Sequence, residues 1–66
     1  MFKGVPQVGD VFFHADGDKL LVTEIDESLP RDEQVTLLRL DDGIVDDYCT
    51  DSLDSFKSGH YLAKVG

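Results

Sequence analysis

An Asp42-Gly43 pair stands between two apolar runs, Gln34 to Leu40 (QVTLLRL) and Ile44 to Thr50 (IVDDYCT), and it constrains the fold more than any other feature. Asp-Gly flanked by such runs is the strongest short-range signal for a β-hairpin, because the turns whose twist matches paired strands need positive φ. The rest of the chain agrees. Seven Val, three Thr and six aromatics favour pleated structure, while two Ala and three Glu leave little for helix. Asp10 to His14 (DVFFH) and Lys19 to Asp26 (KLLVTEID) form two earlier strands, joined by Ala15-Asp16-Gly17-Asp18, where Gly17 can take positive φ. The apolar set of the second of these shifts phase between Val22 and Ile25, which predicts a β-bulge.

Glu27 to Glu33 is polar, carries the internal Pro30 and has no periodicity, so it reads as a loop. Asp51 to Phe56 (DSLDSF) combines a capping residue with apolar positions three apart, which predicts one turn of 3₁₀ or α-helix before a last strand, His60 to Val65. The expected fold is therefore all-β: a five-stranded antiparallel barrel with one helical turn before the last strand. Closing the sheet protects strand edges in so small a chain. Sixty-six residues make a single domain, 1–66, with 1–8 as an N-terminal arm in which Phe2 caps the open end of the barrel. The expected core is Val11, Phe13, Leu20, Val22, Ile25, Val35, Leu37, Val45, Leu53, Phe56, Leu62 and Val65.

This order of strands resembles that of SH3-like small barrels, and Val8-Gly9-Asp10-Val11-Phe12 is similar to the Gly-Asp-hydrophobic opening of KOW-like and Tudor-like members. The chain also resembles small phage-encoded barrel proteins. The resemblance implies a binding module that presents loops and one open face to a partner. KOW-like members often bind RNA through basic loops, which this chain lacks. Plasmid-type dihydrofolate reductases share the fold and size, but their Val-Gln-Ile-Tyr pore segment is absent here, and fold alone does not imply activity.

Six Lys and Arg against 14 Asp and Glu give a net charge of −8. Such a surface repels nucleic acid and anionic lipid, because binding to polyanions depends on cations that neutralise phosphate. The single Cys49 cannot form an internal disulfide, so a reducing, cytoplasmic setting is expected. Neither a membrane-spanning run nor the apolar region of a signal peptide is expected in Met1-Phe2-Lys3-Gly4-Val5-Pro6 or beyond. No Gly-rich phosphate loop, zinc spacing or cofactor motif is present, and no catalytic or metal-ligating residue is assigned. An EF-hand frame from Asp42 fails at its sixth position, which is Asp47 instead of Gly. A looser site built from Asp41, Asp42, Asp46 and Asp47 stays open, and His14, Asp16 and Asp18 cluster at a turn, an arrangement common by chance.

The most informative segment is Leu40 to Phe56, where Asp41, Asp42, Asp46, Asp47, Asp51 and Asp54 place six carboxylates in seventeen residues without a cation. The plain reading is a solubilising surface. The specific reading is a non-enzymatic acidic module that binds a partner with a basic surface, imitating nucleic acid, in the manner of a phage or mobile-element inhibitor of a host protein. A small-ligand or cation-binding oligomeric barrel and a structural accessory domain are the alternatives, and oligomeric state is left open. Strand alternation turns Phe12, His14 and Tyr48 outward and Cys49 inward, so Phe12 and Tyr48 join the carboxylates as partner contacts.

Overall fold

The computed structural model describes residues 2–15, 17–40 and 47–65. Strands β1 (Val11–His14), β2 (Lys19–Ile25) and β3 (Val35–Arg39) are followed by β4 (Tyr48–Asp51), helix α1 (Leu53–Lys57) and β5 (Tyr61–Val65). The loop between β2 and β3 contains one 3₁₀ turn, Arg31–Glu33. All four pairings are antiparallel, in the order β4-β3-β2-β1-β5. The protein is a small all-β fold with a helical segment before the last strand, as its sequence predicts. Among the described residues, backbone hydrogen bonds do not close the sheet into a barrel: β4 and β5 are its two edges. Among the described residues no helix is long and apolar enough to cross a membrane.

Local chemistry accounts for the elements. At the first turn Gly17 has φ +90°, and its N–H donates to the His14 carbonyl at 2.9 Å. The expected irregularity in β2 is present, because Val22 faces Leu37 while Glu24 faces Thr36, leaving Thr23 as the extra residue. Helix α1 begins at Ser52, whose hydroxyl accepts the Ser55 N–H at 3.2 Å. It ends where Gly59 takes φ +86° and the His60 N–H returns to the Ser55 carbonyl at 3.0 Å, a Schellman closure. The Asp42-Gly43 hairpin and the first residues expected for strand four lie outside the described residues.

The core consists of Phe12, Leu20, Val22, Val35, Leu37, Leu53, Phe56 and Tyr61, with Phe2 and Ile25 packed against it. Phe12 is at its centre. Its ring meets those of Phe2, Phe56 and Tyr61 edge to face at 4.7, 5.1 and 5.9 Å, while Phe56 and Tyr61 stack at 4.0 Å. The arm that carries Phe2 is held by its N–H to the Tyr61 carbonyl at 3.0 Å.

Two strands face the opposite way from expectation. Phe12 is 0% exposed, whereas Phe13 is 37% exposed and Val11 half-buried. Val11-Phe12-Phe13 is apolar on both faces, so alternation cannot choose between them; pairing does. Phe12 lies opposite Leu20, which points inward, and Phe13 lies opposite Lys19, whose charge must reach water. In β5 a register shift sets Tyr61 against His14 and leaves Leu62 as the extra residue, so Tyr61 fills the core and Leu62 is exposed. Val65 pairs with Val11 on the outer face, half-buried. The expected core member Val45 lies outside the described residues.

Candidate partner-binding surface

Of the proposed contact residues, Asp41, Asp42 and Asp46 lie outside the described residues. The other five have separate roles. Phe12 is a core residue and is withdrawn from the surface. Tyr48 is 56% exposed on the edge strand β4, as expected, and Asp47, Cys49 and Thr50 are exposed beside it. Asp47 lies within 3.5 Å of the Arg39 Nε, and Asp18 within 3.5 Å of another nitrogen of the same guanidinium. Asp54, in the first turn of α1, pairs with Arg31 at 2.9 Å. All three pairs lie at the surface, with only Asp18 half-buried, and such pairs contribute only ~0–1 kcal/mol each. They do lower the local negative potential.

Asp51 faces inward. Its Oδ1 accepts the Ser52 N–H and the Ser55 hydroxyl, each at 2.7 Å, and its Oδ2 accepts the Tyr61 hydroxyl at 2.7 Å. Burial, followed by this hydrogen bond and the carboxylate charge, pushes the Tyr61 phenol well above its ordinary pKa. A carboxylate with three donors is an architectural group, so Asp51 holds the end of β4 to α1 and β5.

Cys49 corrects the expectation of a buried thiol, because it is exposed. It lies opposite Leu37 on the inward side of β3, but β4 is an edge strand with no neighbour beyond it to cover that side. Partial desolvation still raises the thiol pKa. Asp47, Asp51 and Asp18 push it in the same direction, and Arg39 opposes them.

The histidines and the remaining carboxylates are distributed without a common centre. His14 is half-buried edge to face against Tyr61 at 5.2 Å, and His60 Nδ1 is 3.0 Å from the Ser58 hydroxyl. Asp16 of the His14 turn lies outside the described residues, and among those described no group of His, Cys, Asp and Glu is placed to hold a metal. Asp26 is half-buried just after β2. The Ser28 hydroxyl and N–H, both donating to it, hold its carboxyl below the usual range.

One feature escaped the sequence reading. On the sheet face opposite the core, the register aligns Val65, Val11, Leu21, Leu38 and Tyr48, one residue from each strand, in a continuous apolar row. The signal was present in the adjacent pairs Leu20-Leu21 and Leu37-Leu38. Each places one leucine in the core and must place the other outside. Comparison with protein-family models, with curated proteins and with solved structures finds no match.

Proposed function

We propose that the chain is a non-enzymatic protein-binding module for a partner with a basic surface, engaged along the β4 edge. The observation that supports this reading is the run Asp47-Tyr48-Cys49-Thr50, exposed along an edge strand that follows directly from Asp41, Asp42 and Asp46 in sequence. An exposed aromatic next to Asp47, and close in sequence to three further carboxylates, suits a cationic protein surface: the charge steers the encounter and the ring supplies anchoring area. Asp51 is held internally and Asp54 by a close 2.9 Å pair with Arg31, whereas Asp47 has only a looser 3.5 Å contact with Arg39, so the contact set is Asp41, Asp42, Asp46, Asp47 and Tyr48, with Asp54 at its margin.

The narrower form of the proposal is mimicry of a nucleic acid by an SH3-like protein of phage or mobile-element origin, directed at a nucleic-acid-binding host protein. The net charge of −8 supports it. Affinity capture at low and high salt, with wild type and with a variant combining Asp47→Asn and Tyr48→Ala, tests both forms. Capture that declines with salt and is lost in the variant supports the module, and displacement of the partner by duplex DNA supports mimicry. Equal capture by variant and wild type would refute the β4 edge as the site.

A further inference from the structure

The outer apolar row raises a separate question: each of the five strands contributes to it, with Tyr48 exposed and Val65, Val11, Leu21 and Leu38 half-buried. It runs Val65, Val11, Leu21, Leu38, Tyr48 and spans roughly 19 Å at the usual strand spacing. The rows on either side of it carry opposite charges. On one side lies Lys19, whose Nζ sits 5.7 Å from the ring of its register partner Phe13; on the other lies Glu24, opposite Thr36. Both Lys19 and Glu24 are exposed.

This arrangement is complementary to itself. We propose that the outer face is the interface of a symmetric dimer, in which a second copy of the chain docks row on row about a two-fold axis parallel to the row. That axis reverses the strands, so each Lys19 faces the Glu24 side of the other copy at two equivalent places. A two-fold axis along the strands would instead set Lys19 against Lys19 and Glu24 against Glu24, so charge selects the orientation. Two sheets stacked this way keep their strands nearly aligned at a separation of about 10 Å, the usual geometry of a sandwich.

One exposed aromatic and four half-buried apolar side chains are far fewer than the ~20–30 residues a side of a standard interface, so the dimer is weak and forms at high protein concentration. The inference shares Tyr48 with the partner reading, which dimerisation would cover, but it rests on the register of the outer row and the placement of Lys19 and Glu24, and salt separates the two. Added salt screens both the repulsion between copies that each carry −8 and the Lys19–Glu24 attraction, so dimerisation responds little to salt, whereas binding to a basic partner weakens steadily.

Sedimentation equilibrium over a range of protein and salt concentrations, on wild type, Lys19→Glu, Glu24→Lys and the double variant, tests the dimer. Lys19→Glu changes the net charge to −8 − 2 = −10 and Glu24→Lys to −8 + 2 = −6, while the double variant remains at −8. If only net repulsion mattered, Glu24→Lys would strengthen association. The proposed pairing instead requires each single variant to weaken the dimer several-fold and the double variant to restore it. All three variants change exposed side chains, and circular dichroism checks that each is folded. A protein that stays monomeric at every concentration and salt, a Glu24→Lys variant that dimerises more strongly, or a double variant that fails to recover would overturn the proposal.

Discussion

The Tyr61 hydroxyl donates a 2.7 Å hydrogen bond to Oδ2 of Asp51, and so joins β4 and β5, the strands at opposite ends of the sheet. Backbone pairing leaves the sheet open, and this side-chain bridge ties its ends together. Helix α1 spans the same gap in sequence and contributes Ser55 to the other oxygen of the carboxylate. The helical turn is therefore part of the closure as well as a connection.

Asp51→Asn replaces one acceptor oxygen with a donor that must face an existing donor. We expect a loss of ~1.5–3 kcal/mol, the range for hydrogen bonds to charged groups. Tyr61→Phe removes only the hydroxyl and should cost ~0.5–1.5 kcal/mol. Urea unfolding of both single variants and the double variant measures their coupling. Strictly additive costs would show that the bridge contributes nothing as a pair.

Alkaline stability should depend on the same residue. Burial first, then the hydrogen bond to Asp51 and its charge, keep Tyr61 protonated beyond the ordinary phenol range. The unfolded chain loses that proton near the usual pKa of about 10, while the folded chain retains it. Above that pH the unfolded state binds fewer protons, so stability is full below about pH 10 and falls as pH rises further. Tyr61→Phe should flatten this alkaline decline. Parallel stability curves for the two proteins between neutral and strongly alkaline pH would contradict the assignment.

The inward phase of β1 makes Phe12 and Phe13 very unequal. Phe12→Ala removes the ring at the centre of the aromatic cluster and should cost ~3–5 kcal/mol, the range for large core aromatics. Domains of this size have only ~3–5 kcal/mol in all, so the variant should be largely unfolded. Phe13→Ala, at a partly exposed position, should stay folded. Near-ultraviolet circular dichroism separates the two, and a folded Phe12→Ala beside an unfolded Phe13→Ala would reverse the assigned faces.

That inequality also marks what the sequence could convey. Turns and caps were legible because single residues decide them: Gly17, Ser52 and the phase shift after Val22 each act through their own backbone. Faces were legible only where one side of a strand is polar, as in Val35-Thr36-Leu37. In Val11-Phe12-Phe13 and Tyr61-Leu62 both sides are apolar, so the face follows from the partner strand's register, which is not a local property. The same holds for the candidate surface. Tyr48 was readable from alternation, but Asp51 looks like any other aspartate until Ser52, Ser55 and Tyr61 converge on it from α1 and β5.

Cys49 provides the last prediction. The thiol is exposed and yet carries a raised pKa, from partial desolvation first and from Asp47, Asp51 and Asp18 next, with Arg39 opposing them. A disulfide reagent should therefore label the native protein at a single site, more slowly at neutral pH than the urea-unfolded chain, because the thiolate is the reactive form. Charge substitutions set the direction of further change. Asp47→Asn removes a neighbouring negative charge and should speed labelling, whereas Arg39→Gln removes the attractive cation and should slow it. Both effects should shrink in high salt, since the charges involved are near the surface. A native rate equal to the unfolded one, or unaffected by either substitution, would mean that the environment of β4 does not control the thiol.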